Sequence, residues 1–359
     1  MDEESLELTT TPLSDELVRS DIVAEPHLSH QLALDLATRS QAIWQKNSRK
    51  DAKREIGDRL YTALILIAAS SILLIIVGLA FELTSGSAET IGATGLRFLT
   101  GDDWDPGAHI FGALPFILGT LYSSMWALVI GVPISILAAI FLAELAPSWL
   151  STPLSFLIEL LAAIPSVVYG LWGLFILQPW LVKHVEMPIS QNSWLSKIPI
   201  FGDTANGYDM FSASVILAIM VIPYITAVSR DIMRAIPRSV REGSYALGAT
   251  KWETIREVVL PYARAGFIGA IMLGLGRALG ETMAVTMVIG NSPEFKVSLF
   301  ASGYTMASVI ANEIAEAGGI YRSALIEIGL VLFIVTMIVN IIARMLVKYT
   351  SHDIHGGTK

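Results

Sequence analysis

The stretch Asp231–Arg264 reads DIMRAIPRSVREGSYALGATKWETIREVVLPYAR and carries more helix start and stop signals than an ordinary connecting loop. Pro237 suits the first turn of a helix, because proline pre-sets a helical φ and has no amide hydrogen to lose there. Gly248 suits the position just past a helix C-terminus. Thr250 and Glu253 have the spacing of a capping box, which begins a new helix. The stretch therefore predicts two short basic helices joined by a tight turn.

The second of these helices is predicted to be amphipathic. Trp252, Ile255 and Val259 recur at i, i+3 and i+7 and form one apolar face, and Pro261 is expected to end the helix. Three interpretations compete. The pair resembles a DNA-binding helix-turn-helix, it could fold against the rest of its own chain, or it could dock on another protein, for which an exposed tryptophan is a favoured anchor.

The segments on both sides of this loop are apolar enough to cross a membrane. Of the 359 residues, 53% are hydrophobic and 16% are charged, against about a quarter charged in a soluble protein. Each crossing needs roughly 20 mostly apolar residues. Six segments qualify: Leu60–Leu83, one within Gly112–Leu142, Pro153–Leu177, Phe211–Ser229, Ala265–Gly290 and Ala324–Val347. The fold class is therefore predicted to be all-α, a polytopic membrane protein with six transmembrane helices, and a loop tethered between two spans disfavours DNA binding.

Lysine and arginine are distributed asymmetrically among the connections. Six of them lie between Lys46 and Arg59, just before the first span, and seven lie within Arg230–Arg264. The connections on the other side carry only Arg97, Lys183, Lys197, Lys296 and Arg322. Since basic residues concentrate on the cytoplasmic side, both termini and the loop are predicted to be cytoplasmic. The net charge of −8 gives no support to nucleic-acid binding.

The loop also carries a spaced set of residues: Glu242, Gly243, Ser244, Gly248, Leu260 and Pro261. This set resembles the EAA loop of ABC importer permeases, Glu-Ala-Ala, three residues, Gly, nine residues, Ile-x-Leu-Pro. It departs by Gly243 and Ser244 for the alanines and by Val258 for the isoleucine. The resemblance implies a coupling loop, including Trp252, that docks on a separate ATPase subunit. The sequence contains no G-x-x-x-x-G-K-[ST] motif with which to hydrolyse ATP itself.

Three further stretches narrow the resemblance to one subfamily. They are FLTGDDWDPGAHIFGALPFILGTLYSS (Phe98–Ser124), LAAIPSVVYGLWGLF (Leu161–Phe175) and LGRALGETMAVTMVIGN (Leu275–Asn291). They resemble the phosphate ABC transporter permease, PstC type, and the resemblance runs from Leu60 to about Lys348. It implies the type I ABC importer permease fold, in the bacterial inner membrane.

The implied partners are a sister permease in a heterodimer, a dimer of ATP-binding subunits and an extracytoplasmic phosphate-binding protein, with inorganic phosphate as substrate. The chain itself would be a transport subunit and no enzyme, with no cofactor and no metal site. Two alternatives stay open: a permease for another oxyanion, and a secondary transporter or channel that works without ATP.

The fifth predicted span contains two charges, Arg277 and Glu281, one turn apart. On a helical wheel they share a face with Gly266, Ala270 and Gly274, whereas bulky apolar residues lie opposite. A charge near the middle of a membrane costs about 2.5–3.5 kcal/mol. One interpretation is that the two charges satisfy only each other and lock helix packing. The other is that both belong to the translocation pathway, where the planar guanidinium of Arg277 suits phosphate oxygens.

The chain is predicted to divide into three parts. Residues 1–58 would form an acidic cytoplasmic tail with a basic juxtamembrane segment, and residues 59–348 the transmembrane permease domain, with its coupling loop at residues 230–264. Residues 349–359 would form a short cytoplasmic tail. In the first external loop, Asp102, Asp103 and Asp105 flank Trp104 and are expected to form a solvated loop that touches the binding protein.

Overall fold

The computed structural model describes residues 38, 59–192, 194–204 and 206–355. By internal contacts the chain divides into two units, Met1–Val77 and Gly78–Lys359. The described part of the first unit is Thr38 and the start of helix α1 (Arg59–Gly86), and the predicted acidic tail otherwise lies outside the described residues. The predicted three-part division stays a prediction. All contacts discussed below lie within the second unit.

The second unit consists of helices and one small hairpin. Its elements in chain order are α2 (Ala88–Thr94), α3 (Arg97–Thr100), β1 (Trp104–Asp105), β2 (Ile110–Phe111), α4 (Leu114–Leu145), α5 (Ser148–Ala163), α6 (Ser166–Ser190), α7 (Met210–Ala235), α8 (Arg238–Ala246), α9 (Lys251–Leu279), α10 (Met283–Thr286), α11 (Met306–Glu313) and α12 (Gly319–His355). The two strands pair antiparallel, Trp104 opposite Phe111. Two 3₁₀ turns, Leu195–Lys197 and Pro199–Phe201, lie between α6 and α7.

The described helices include five that are each long and apolar enough to cross a membrane, α1, α4, α7, α9 and α12. A sixth span results if α5 and α6 count as one, which confirms the predicted total. The predicted third span, Pro153–Leu177, is broken at Pro165, where α5 and α6 meet at 92°. Ile164 and Pro165 are extended at the bend, because a proline disfavours the helical conformation in the residue before it.

The fifth span also differs from its prediction at both ends. It ends at Leu279 instead of Gly290, and α10 is a separate short helix. At its other end, Pro261 does not terminate a helix: α9 runs without interruption from Lys251 through a π-turn at Ile255–Val259. A π-turn shifts the hydrogen-bond register by one residue, so the missing amide hydrogen of Pro261 breaks no regular α-helical bond.

The core is built around α7. Its residues Ile216, Leu217 and Val221 pack with Ala127 of α4 and Ala270 of α9. Close approach is possible because glycines face α7: a Cβ on Gly131 of α4 would lie 3.2 Å from Val221 Cγ2. Two further apolar clusters lie at the ends of the bundle. One, at the loop end, where α7 leads into α8, includes Met233, Ile236, Ile255 and Val259. The other, at the far end, surrounds the hairpin and α11.

Candidate functional site

The two interrupted spans meet inside the bundle. Gly170 of α6 packs directly on α10, where a Cβ would lie 3.0 Å from Ala284 Cα and 2.7 Å from Met287 Sδ. The contact joins the short helix after the bend at Pro165 to the short helix after Leu279. Irregular backbone at membrane depth is tolerated where protein or a cavity surrounds it, so this junction is the natural candidate for a functional site.

Two tyrosines stabilise the bend. The Tyr169 hydroxyl donates to the carbonyl of Leu161 at 2.9 Å, and the Tyr224 hydroxyl, from α7, donates to the carbonyl of Ala162 at 2.6 Å. The last carbonyls of a helix have no partner within the helix. The two hydroxyls satisfy these groups at the end of α5 and fix its position against α7.

Arg277 lies beside the same tyrosines. Its guanidinium carbon is 4.4 Å from the centre of the Tyr224 ring, a cation–π contact. Its Nε is buried without a hydrogen-bond acceptor. Within the part of the chain that the structure describes, Arg277 forms no ion pair or hydrogen bond. Arg277 is partly buried, and a buried donor without an acceptor, such as its Nε, is costly. The donors of Arg277 are therefore available to an anion.

Glu281 does not pair with Arg277, contrary to the i, i+4 geometry predicted for a continuous helix. The helix ends at Leu279, so the two residues no longer share a helical face. Glu281 is buried, and its Oε1 accepts a hydrogen bond of 3.4 Å from the amide of Ala284, in the first turn of α10. No ion pair between the two side chains occurs among the described residues. The interpretation in which they satisfy only each other is therefore not supported.

The predicted face of small residues packs against α7. A Cβ on Gly274 would lie 2.7 Å from Ile225 Cδ1, and one on Gly266 would lie 2.7 Å from Ile232 Cγ2. Ala270 is fully buried in the same contact. Up to Leu279 the small face is thus a close helix–helix interface, and Arg277 lies at its end, where the helix stops.

The predicted helical pair of the loop is present as α8 and the start of α9. Gly248 has φ +88°, the left-handed conformation that favours glycine after a helix. Thr250 and Glu253 form the predicted capping box, and the Ser244 and Thr254 hydroxyls lie 3.0 Å apart and join the two helices. Glu242, Gly243 and Gly248 are exposed, whereas Leu260 is partly buried and follows the π-turn.

The outer surface of the pair is apolar in places. Leu247 is 91% exposed and Trp252 is 58% exposed, whereas Ile255 and Val259 of the predicted apolar face are buried below them. The tryptophan therefore does not share the buried side of its helix. An exposed leucine and tryptophan on a rigid turn form a small anchor of the kind that protein interfaces use.

Beneath the loop lies an arginine network that sequence reasoning missed. Arg230 pairs with Glu159 and Asp231, Arg234 donates to the Ser151 hydroxyl, and Arg241 pairs with Glu144. The sequence analysis counted these arginines as basic residues that set orientation. Their spacing on α7, at positions 230 and 234, could have indicated one shared face towards α5.

At the far end, the loop expected to be solvated is partly packed. Trp104 donates from Nε1 to Glu313 at 3.0 Å and lies edge-on to Phe111 and Phe116. Tyr304 also donates to Glu313, and burial raises its pKa to about 12. Asp102 and Asp103 are exposed as expected, so the acidic residues surround a packed tryptophan.

Comparison with known proteins identifies the chain. It is 44% identical to the phosphate transport system permease protein PstC of Haemophilus influenzae over 304 residues, 84% of this chain and 96% of that relative. This chain belongs to the PstC family of phosphate transport permeases. The PstC protein of Pasteurella multocida is 46% identical over 280 residues, 77% of this chain and 87% of that relative.

Two broader comparisons concern the wider family and the fold. Residues 131–352 match the family of binding-protein-dependent transport system inner membrane components. The crystal structure of a bacterial alginate ABC transporter, in complex with a periplasmic protein that carries an alginate pentasaccharide, contains a chain with a TM-score of 0.55 and 18% identity. The likeness covers 82% of this chain and 94% of that one and supports the type I fold predicted from the sequence. The predicted roles of Arg277, Glu281 and the loop residues stay predictions.

Proposed function

We propose that this PstC-family permease forms half of the phosphate pathway of an ATP-driven importer and receives force from a separate ATPase subunit through the helical pair at residues 238–254. The observation that carries this proposal is the exposed anchor of Leu247 and Trp252 on a rigid turn at the end of the span that contains Arg277. In the proposed orientation, the loop and both termini are cytoplasmic, and the hairpin end faces the binding protein.

Arg277 is the residue proposed to contact phosphate. Its guanidinium offers a planar fork of donors, and the Tyr224 ring supports one face of that fork. A transport site must bind weakly enough to release its ion. One arginine supported by an aromatic ring suits that need better than an arginine cluster. Glu281, at the break between α9 and α10, is proposed to limit how long the anion stays, through its negative charge.

The partners are proposed by family relationship and by the architecture. A sister permease would complete the pathway on the open side of Arg277, two ATP-binding subunits would dock on the coupling loops, and a phosphate-binding protein would deliver the substrate. A permease for another oxyanion remains the second candidate for substrate. The names of the PstC relatives favour phosphate.

The test is co-purification of the ATPase subunit with the membrane complex. Trp252→Ala combined with Leu247→Ala is expected to release most of the ATPase and to abolish ATP-dependent phosphate uptake, because a few residues, with tryptophan prominent among them, carry most of the binding energy of an interface. Trp194→Ala is the matched control, since Trp194 is 84% exposed but lies at the far end of the bundle.

Two results would contradict the proposal. If the double variant retained the ATPase, Leu247 and Trp252 would not be the residues that dock it. Phosphate transport by the purified chain alone, without ATP, would favour the secondary transporter or channel instead.

A further inference from the structure

Arg241 of α8 points inward, towards the ends of α4 and α7. Its Nη1 donates to the carbonyl of Ile236 at 2.7 Å, and its Nη2 donates to the carbonyl of Met233 at 2.7 Å. Met233 lies in the last turn of α7 and Ile236 caps its C-terminus. The last carbonyls of a helix lack regular intrahelical donors, and besides Arg241 the Met233 carbonyl accepts only the Ile236 amide among the described residues. One side chain of the loop helix therefore closes the end of the fourth span.

The same guanidinium also reaches the second span. Arg241 Nη2 lies 2.6 Å from Glu144 Oε1, and both side chains are largely buried, with 17% and 8% exposed. Glu144 belongs to the π-turn Phe141–Leu145 that ends α4. π-Turns occur often at functional sites. The chain thus has one rigid three-way connection between α8 and the ends of α4 and α7.

Stability alone is a weak reason for such a pair. Well-packed apolar residues often replace a buried ion pair with no loss of stability, whereas its best-attested use is to fix geometry. The neighbours of Arg241 do not share its role. Arg238 and Glu242 are exposed, and within the described part of the chain neither shows a bond to another element.

We propose that Arg241 is a positioning residue that transmits displacement of the loop helix α8 to the ends of α4 and α7, so that ATP hydrolysis and phosphate movement stay coupled. This inference rests on the proposed function, in which an ATPase pushes on α8. Arg241 contacts neither the ATPase nor the phosphate. It acts through Glu144 and through the two carbonyls of α7.

The test uses the whole reconstituted complex in liposomes and measures ATP hydrolysis and radioactive phosphate import in the same sample. Arg241→Gln and Glu144→Gln are each expected to keep ATP hydrolysis while phosphate imported per ATP falls roughly 5-fold or more, the size of an ordinary coupling between sites. Arg344→Gln, at an exposed arginine of α12 outside the helical pair, is the matched control and should leave the ratio unchanged. The exchanged pair, Arg241→Glu with Glu144→Arg, should recover part of the ratio.

Each other outcome overturns the inference. An unchanged ratio in Arg241→Gln shows that the connection transmits nothing. Failure of both single variants to assemble shows that the pair serves only stability. ATP-independent import by the wild-type complex would instead refute the proposed function, so the two failures can be distinguished.

Discussion

Arginines near the two ends of helix α9 lie in opposite surroundings. Near its start, beneath the loop, Arg230, Arg234 and Arg241 each have carboxylate, hydroxyl or carbonyl partners. At its end, Arg277 has an aromatic ring beside it and no acceptor among the described residues. The first arrangement holds helices together, and the second leaves a binding group unused. The contrast indicates that an arginine without hydrogen-bond acceptors marks the candidate site, whereas the presence of an arginine in a span does not.

The strongest test of this contrast is removal of the unpaired guanidinium. Arg277→Ala is expected to reduce phosphate uptake about 100-fold, and Arg277→Lys about 10-fold, because lysine keeps the charge but loses the planar fork. Uptake is measured in cells with complex assembly checked separately. Arg344→Ala, an exposed arginine of α12, is the control. Full uptake in Arg277→Ala would show that the unpaired arginine serves packing.

The junction of the two breaks can be distorted without touching a charge. Gly170→Ala places a Cβ 3.0 Å from the backbone of Ala284, and overpacking of this kind costs about 1–3 kcal/mol. We expect a lower thermal unfolding temperature and reduced phosphate uptake. Gly78→Ala is the matched control, because among the described residues a Cβ there would meet nothing within 4 Å. If the two variants had the same unfolding temperature and the same uptake, the contact between Gly170 and α10 would have room for an added methyl group.

Asp209, a buried carboxyl at the far end of the bundle, tests whether burial of a charged group is by itself a sign of function. Asp209 is fully buried at the N-terminus of α7, where its Oδ1 accepts from the Ser212 amide and its carboxyl interacts with the neighbouring carboxyl of Glu186. Burial raises the pKa of Asp209 from 3.8 to about 6, against the opposing effect of the Ser212 hydrogen bond. The protonated form therefore stabilises the fold below about pH 4, and this stability is lost as the pH rises through about 6.

Asp209→Asn should reduce this pH dependence, because only the Glu186 carboxyl of the interacting pair is left to titrate. At pH 7.5 the variant is expected to be more stable by about 1–2 kcal/mol, and the difference should shrink at pH 5. Thermal unfolding of the detergent-solubilised complex at both pH values measures this difference, with the more exposed Asp203→Asn as control. Uptake should be unchanged. Lost uptake at equal assembly would instead give Asp209 a role in transport.

The smallest expected effect concerns the start of α9, at the end of the bundle where the arginines have partners. Thr250→Ala removes one half of the capping box and should destabilise the start of α9 by about 1 kcal/mol. Hydrogen exchange of the loop amides should increase, whereas the exposed Ser239→Ala should leave them unchanged. If Thr250→Ala left the exchange of the loop amides unchanged, packing alone would hold α8 and the start of α9 in place.

Sequence reasoning predicted the local signals of the loop well and missed the break after Leu279. Gly248, Thr250 and Glu253 act through neighbours a few residues away, so their pattern was sufficient for the turn. The helical wheel failed at Gly280, because an apolar run through Gly290 reads as one helix until the packing of α10 on Gly170 is known. Tyr224 and Glu144 could not be recognised, since their partners, Arg277 and Arg241, lie far from them in sequence.

The uninterrupted course of α9 has a mechanical consequence. Trp252 and Arg277 are 25 residues apart on one helix, a distance of about 37 Å at the usual rise per residue. A helix of that length acts as a lever: a tilt of about 5° at its exposed end would carry the other end by roughly 3 Å. That displacement is comparable to the length of one hydrogen bond, enough to bring a guanidinium into or out of contact with an ion.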